Sequence, residues 1–198
     1  MKTLILLLTL FSFTSVFAAG GEAEVVLIRG TAMYNNSLLQ VGSKVTSEGV
    51  ITVADKSYLK LRLLPSLSTI VIGANSSAKL NLEEGENKEK IYFLSGAFRW
   101  VTGKAFKKSG VILHSKNAVF GLRGTDFTAT FNSALGETEV VCNEGEIMFT
   151  NLDDPKNFRY VKTAQWGGLG GRFGEKVERI LDLQQPVLDH FNAATPLD

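Results

Sequence analysis

Hydrophobic and polar residues alternate in short runs along most of the chain and predict a succession of β-strands. In residues 57–63, leucines alternate with Lys60 and Arg62, a period of two that is typical of a half-buried strand. Residues 126–131 repeat the pattern, because phenylalanine and alanine alternate there with threonine. Similar β-rich runs predict further strands at residues 24–28, 44–46, 50–53, 69–72, 78–82, 90–94, 97–101, 111–114 and 158–162.

Short strands at regular spacing, with Gly, Asn and Ser between them, predict an all-β fold. Residues 139–142 and 147–150 flank Gly145, whose freedom to adopt a positive φ predicts a hairpin turn between them. A compact sandwich, a roll and a short β-solenoid all stay open, although the lack of a strict sequence repeat weakens the solenoid. Helices do not alternate with the strands, which argues against a doubly wound fold.

The composition changes after Trp166. Residues 167–174 are rich in glycine and predict a flexible hinge. Residues 175–183 predict a helix, because their apolar side chains would share one face, and Pro186 would break that helix and open a second short helical turn. This short helical segment would either pack back on the β domain or bind a partner from its glycine-rich tether.

The first 18 residues have the composition of a secretory signal peptide. Lys2 precedes an apolar run at residues 4–17, which is short and interrupted by Ser and Thr, whereas a membrane span needs about 20 apolar residues. Small side chains at the end of the run predict cleavage after Ala18. We therefore expect a periplasmic or secreted protein with no integral membrane segment after cleavage.

The expected organisation is a signal peptide at residues 1–18, a β domain at 19–165, and a glycine-rich hinge with a helical tail at 166–198. Loss of the signal peptide removes Lys2 and leaves 20 basic against 20 acidic residues, a balance that argues against a nucleic-acid partner. Cys142 is the sole cysteine, so no intrachain disulfide can form and the fold must rest on its core.

Residues suited to catalysis or metal binding are sparse. The two histidines, His114 and His190, are not accompanied by a Gly-x-Ser-x-Gly elbow or by a recognisable pair of catalytic carboxylates. The His and Cys spacing does not fit zinc, and the acidic turns at residues 83–86 and 153–154 lack the alternating ligands of a calcium loop. The sequence predicts no catalytic residue, no metal and no cofactor, and hence a protein that is not an enzyme.

Two groups of aromatic residues are hypotheses for binding. Phe98 and Trp100 would hold an anionic envelope polymer together with nearby basic residues, although their shared strand face favours core packing. The other members of that group are Arg99, Lys104, Phe106, Lys107, Lys108 and Lys116. Trp166 would stack on a sugar or a partner, or else pack under the glycine-rich loop. These residues define an alternative function, a glycan-binding module of the envelope or cell surface.

Residues 118–127, Ala-Val-Phe-Gly-Leu-Arg-Gly-Thr-Asp-Phe, form the most specific motif. The motif resembles the centre of the ferric-citrate regulator (FecR) domain, where family members read approximately Gly-Val-Arg-Gly-Thr-x-Phe. Other segments resemble the family in the same order, and they lie at residues 42–52, 57–63, 94–99 and 139–149. The resemblance spans residues 24–162.

The resemblance implies an all-β periplasmic domain without enzymatic activity. In family members this domain relays a signal from an outer-membrane siderophore transporter, and it is joined to a cytoplasmic anti-sigma tail, a membrane helix and a further C-terminal domain. Here only Met1 and Lys2 precede the apolar run, and about 35 residues follow the β domain, fewer than a second domain usually needs. We therefore expect a stand-alone domain that binds, scaffolds or relays signals by contacting another envelope protein.

The motif itself predicts a structural corner. Gly121 and Gly124 would permit a sharp bend between two apolar strands. Arg123 would donate hydrogen bonds across the bend and pair with Asp126, while the Thr125 hydroxyl would cap the turn. The residues assigned to this corner are Gly121, Arg123, Gly124, Thr125, Asp126 and Phe127.

Overall fold

The computed structural model describes residues 21–82, 89–105 and 111–197. The predicted signal peptide, the acidic turn at residues 83–86, and Phe106, Lys107 and Lys108 lie outside the described residues. In the described ranges the strands are β1 (Glu22–Arg29), β2 (Ala32–Tyr34), β3 (Ser37–Leu38), β4 (Lys44–Val45), β5 (Gly49–Val53), β6 (Tyr58–Leu64), β7 (Ser68–Ile72), β8 (Ser76–Asn81), β9 (Glu89–Val101), β10 (Val111–His114), β11 (Ala118–Asn132), β12 (Glu137–Asn151), β13 (Phe158–Lys162), β14 (Gln165–Leu169) and β15 (Ile180–Asp182). A 3₁₀ turn (Gly171–Phe173) follows β14, and helix α1 (Gln185–Ala193) follows β15.

One continuous mixed sheet folds into two facing layers, because the long strands β9, β11 and β12 each run through both. The C-terminal half of β9 pairs with β7 and β11, whereas its N-terminal half pairs with β8 and, in parallel, with β10. The first layer has the order β4–β1–β6–β7–β9–β11–β12–β14–β15, and the second has the order β3–β2–β5–β8–β9–β10–β11–β12–β13. The all-β prediction is confirmed, and the two layers correspond to the sandwich or roll.

A stack of phenylalanines joins the two layers. Phe93 of the second layer stacks on Phe98 of the first, with ring centroids 4.2 Å apart. Phe120 lies 5.5 Å from Phe127 and 5.6 Å from Phe149. All five rings are buried. Because large aromatic side chains contribute the most buried apolar area per residue, this stack forms the centre of the core.

The alternation that predicted the strands is confirmed where one face of a strand meets this core. In β6 the three leucines at positions 59, 61 and 63 are buried, while Lys60 and Arg62 lie on the outer face. The period of two was a reliable signal here, because the core requires one apolar face from every strand and the opposite face stays partly in water.

The predicted hairpin at residues 139–150 is wrong, because these residues form the single strand β12. Gly145 has a φ of +85° and sits at a bulge, where its N–H donates to the Thr163 Oγ1 at 3.1 Å. A Cβ at this position would lie 2.5 Å from the Gly124 carbonyl oxygen. The separate strands predicted at residues 90–94 and 97–101 are likewise one strand, bent at Gly96, whose φ is +95°. Glycine with positive φ serves bulges as well as turns, so the sequence signal was ambiguous.

The predicted glycine-rich hinge is also replaced by ordered structure. Residues 165–169 form β14, which pairs with β12 and β15. At Gly167 a Cβ would lie 3.1 to 3.3 Å from three core side chains, so glycine is present here for close packing rather than for flexibility. The predicted helix at residues 175–183 is wrong, since this stretch contains β15. The helix begins at Gln185 instead, and Pro186 lies in its first turn, where proline is tolerated.

Candidate functional site

The motif lies in the middle of β11, at the point where this strand passes from one layer to the other. The register with β12 shifts between Arg123 and Asp126, and Gly124 has a φ of +62°. The two apolar strands predicted on either side are therefore one strand with a bulge. Thr125 is buried, and its backbone N–H donates to the Thr102 Oγ1 at 3.0 Å. The sequence predicted that the Thr125 hydroxyl would cap this turn. The Thr102 hydroxyl instead accepts the hydrogen bond from the backbone at the bulge.

Asp126 pairs with Arg99 and not with Arg123. The Nε of Arg99 donates to Oδ1 of Asp126 at 2.8 Å, and its Nη2 donates to Oδ2 at 2.7 Å. Both side chains are nearly buried, with exposures of 12% and 14%. The predicted Arg123–Asp126 pair is wrong because the bulge places these side chains on opposite outer faces of the molecule. Arg123 instead lies 3.6 Å from the Glu146 carboxylate and stacks over Tyr160.

The Arg99–Asp126 pair extends into a polar network that reaches the C-terminal helix. Asn143 donates to Asp126 Oδ1 at 3.0 Å, and the Thr128 hydroxyl donates to Asn192 Oδ1 at 2.9 Å. Asn192, on α1, donates in turn to Asn143 Oδ1 at 3.1 Å. We call these five residues the Arg99–Asp126 network. Through Asn192 it links α1 to the outer face of the first layer.

On the other side of the molecule, the outer face of the second layer exposes an apolar and aromatic surface. Met148, Phe158 and Tyr160 are 36%, 37% and 38% exposed. The register places Gly121, Met148 and Tyr160 in one row across three strands. Phe158 meets Tyr160 edge to face at 5.8 Å, and the Arg123 guanidinium lies 5.7 Å from the Tyr160 ring centre. We call these five residues the Tyr160 patch.

The edge of this layer is protected against pairing with another strand. In β13, the Phe158 carbonyl accepts a hydrogen bond from the Arg159 Nη1 at 2.8 Å. The Lys162 N–H donates to the Gln165 Oε1 at 2.9 Å. Side chains thus occupy backbone groups that an incoming strand would use, which is a common way to block edge-to-edge association. The face of the Tyr160 patch, rather than its edge, is available for contact.

The other predicted binding residues have different surroundings. Phe98 and Trp100 are fully buried between the layers, so the hypothesis that they contact a ligand is wrong. Arg99, the cation between them in sequence, is bound to Asp126 and does not form a basic surface patch. Trp166 is half-buried on the outer face of the first layer, where it meets Phe173 edge to face at 5.1 Å. It lines a cavity of about 140 Å³.

The pKa values of Cys142 and His114 are shifted mainly by burial. Burial raises the pKa of the Cys142 thiol to about 12, and the nearby charge of Asp126 adds to this shift. Burial, followed by the charge of Lys90, lowers the pKa of His114, whose ring stacks on Tyr92 at 4.9 Å. Among residues 21–82, 89–105 and 111–197, His, Cys, Asp and Glu do not gather into a group of three or more that suits a metal ion. In that same part of the chain, no helix has the length and apolarity to span a membrane.

Comparisons with known proteins fit this geometry. The sequence model of the family described as FecR protein matches residues 49–148, from the first residue of β5 to Met148 of the Tyr160 patch. Two crystal structures of a candidate anti-sigma factor from Parabacteroides distasonis are similar, each with 13% sequence identity and a TM-score of 0.55. The similarity covers 70% of this chain but 62% of those chains, and at this identity it shows the fold alone. No curated protein matches the sequence.

Proposed function

Because the chain belongs to the FecR protein family, we propose that it is a non-enzymatic module that relays or organises signals by binding another protein of the bacterial cell envelope. The two layers fill their interior with apolar side chains, which supports a role as a scaffold. Function on such a scaffold resides in its surface.

The Tyr160 patch is the observation that carries this proposal. Three neighbouring apolar or aromatic side chains are more than one-third exposed on a well-paired sheet, and an arginine stacks on one of them. Tyr, Met, Phe and Arg are enriched in protein–protein interfaces, and Tyr and Arg are among the residues that dominate their binding energy. The grouping of these side chains on one face supports an interaction surface, whereas single exposed apolar residues would not. The patch also includes Gly121 and Arg123 of the family motif.

Gly121 contributes to the shape of the patch. A Cβ at this position would lie 3.2 Å from both the Cβ and the Cε of Met148, so glycine leaves Met148 room to lie along the sheet. Methionine adapts its unbranched side chain to partner surfaces. The patch therefore combines a flat floor, one adaptable side chain and two rigid rings.

The proposed compartment rests on the signal-like sequence of residues 1–18. We propose that the mature domain starts at Ala19. It would include the C-terminal segment, since β14 and β15 pair within the sheet and α1 joins the Arg99–Asp126 network.

Site-specific crosslinking in the native host tests this function. A photoreactive amino acid would replace Tyr160 in the full chain, and a control chain would carry it at Leu38, an apolar position on β3 that is 69% exposed. We expect one dominant envelope protein to be captured from position 160 and not from position 38. Equal capture at both positions, or capture of no protein from position 160, would contradict the proposal.

A further inference from the structure

A groove crosses the outer face of the first layer, on the opposite side of the molecule from the Tyr160 patch. The register places Ala97, Thr130, Glu139 and Gly168 in one row across β9, β11, β12 and β14, and this row forms the floor. Helix α1 forms one wall, and the 3₁₀ turn at Gly171–Phe173 forms the other. Ala97 and Thr130 are small and leave space beside α1, whereas the rings of Trp166 and Phe173 lie over Gly168.

The groove has two sections that meet at one side chain. The section beside α1 has a volume of about 410 Å³ and is lined by Phe191 and His190. The section beside the 3₁₀ turn has a volume of about 140 Å³ and is lined by Trp166 and Phe173. Arg172 lines both sections. An elongated ligand would thus meet an aromatic ring at each end and a guanidinium between them.

The side chain at the junction is held in place by acidic residues. Glu137, which is buried, accepts a hydrogen bond from the Arg172 backbone N–H at 2.9 Å, and its other carboxylate oxygen lies 3.4 Å from the Arg172 Nε. Glu139 accepts a hydrogen bond from the Nη2 at 3.1 Å. The guanidinium also lies 4.8 Å from the Phe173 ring centre. A group fixed in this way loses little freedom when a ligand binds.

The aromatic end of the groove depends on a glycine. A Cβ at Gly168 would lie 2.7 Å from the Trp166 ring and 2.8 Å from the Phe173 ring. Since these atoms belong to packed rings, any larger residue would push the two rings apart. The close approach of both rings to the strand is therefore built into the sequence.

We propose that this groove binds a short oligosaccharide, a role beyond the proposed protein contact and on a separate surface. The strands of its floor are paired on both sides, so a peptide cannot add to them as a further strand. Recognition must come from side chains. The C–H faces of a pyranose ring suit Trp166, Phe173 and Phe191, and its hydroxyls suit the guanidinium, carboxylate and hydroxyl groups that line the groove.

The dimensions agree with this ligand class. The larger section, at about 410 Å³, has room for a sugar ring with its hydroxyls, and the smaller section, at about 140 Å³, has room for part of the next ring. In the smaller section, Arg179 and Glu178 supply a donor and an acceptor beside the aromatic pair.

Saturation-transfer NMR on the full mature chain tests this proposal. The probes are cellohexaose, an alginate hexamer and peptide-free peptidoglycan strands, which separate neutral, acidic and cell-wall sources of the same ring chemistry. A pool of random decapeptides is tested alongside them. We expect transfer to at least one saccharide and none to the peptides.

The variants Trp166→Ala and Phe191→Ala locate the site, because these residues lie at opposite ends of the groove. Each should weaken saccharide binding at least tenfold, whereas Leu38→Ala should leave it unchanged. Phe191 lies on α1, outside the sheet, so we expect Phe191→Ala to fold. This variant therefore still tests the groove if Trp166→Ala does not fold. Transfer to no saccharide, binding of the peptides instead, or unchanged affinity in both groove variants would overturn the proposal. None of these results alters crosslinking from position 160, so the two proposals fail separately.

Discussion

Arg99 and Asp126 form a bidentate ion pair that connects β9 to β11 directly beside the bulge of the family motif. The Asn143 amide donates to Asp126 and both side chains of the pair are nearly buried, so removing one partner would leave a largely buried charge. We therefore expect Asp126, rather than the more conspicuous Arg123, to be the charged motif residue whose loss destabilises the fold.

The first prediction follows from that burial. Asp126→Ala should lower the free energy of unfolding by about 3 kcal/mol, since breaking a buried pair typically costs this much. Arg123→Ala is the matched control. Its side chain is 60% exposed and lies 3.6 Å from Glu146, so its loss should cost no more than about 1 kcal/mol. Urea unfolding of both variants measures the difference, and equal losses would contradict the assignment.

A second prediction concerns the bend in β12. Gly145→Ala should destabilise the fold by about 2 kcal/mol or more, because it combines a positive φ with a close contact to the Gly124 carbonyl. Gly136 provides the control, since its φ is +64° but the space around it is open. Gly136→Ala should therefore lower the free energy of unfolding only through its positive φ, by about 1 kcal/mol. Thermal unfolding of the two variants should show the larger loss for Gly145→Ala, and the reverse order would exclude a steric role for the bulge.

The third prediction tests how α1 is held. Asn192→Ala removes hydrogen bonds to both Thr128 and Asn143. The equilibrium constant for detachment of α1, measured by the hydrogen-exchange rates of its amides, should therefore increase about tenfold. Gln185→Ala removes an exposed bond to Asp189 within the same helix and should change exchange little. If both variants exchange at the same rate, the helix is held by contacts other than the Arg99–Asp126 network.

A fourth prediction uses the raised pKa of Cys142. Burial raises this pKa from 9.0 to about 12, so the folded state favours the protonated thiol. The folded state is therefore stabilised relative to the unfolded state while the thiol stays protonated. This contribution to the free energy of unfolding should be fully present below pH 9 and should be lost as the pH rises towards 12. At pH 8 the folded protein should react with iodoacetamide far more slowly than the urea-unfolded chain. Rapid labelling of the folded protein would show that the thiol is accessible.

The sequence predicted those features that depend on a single strand meeting the core. The alternation of leucines in β6 and of phenylalanine and alanine in β11 identifies the buried face without knowledge of the neighbours. Glycine carries less information. The sequence predicts a turn at Gly145 and a hinge at residues 167–174. The structure instead has Gly145 in a bulge and packs Gly167 and Gly168 closely within a strand.

The candidate site was harder to predict because its residues come together only through the sheet. Arg99 is distant from Asp126 in sequence, and the bulge turns the nearer Arg123 to the opposite outer face. A period-of-two assignment does place Arg99 on the face opposite Phe98 and Trp100, which was the available signal. No local pattern joins Met148 to Tyr160, since their pairing depends on the register of β12 and β13.

We expect the protein to bind its partner through the Tyr160 patch. To test this, the photoreactive residue is placed at Lys162, an exposed neighbour on β13, in chains with and without the double substitution Phe158→Ser and Tyr160→Ser. The loss of two aromatic contacts should reduce capture of the partner at least tenfold, while the melting temperature stays within about 3 °C. Leu38→Ser should leave capture unchanged. Undiminished capture by the double variant would show that the patch is not the contact surface.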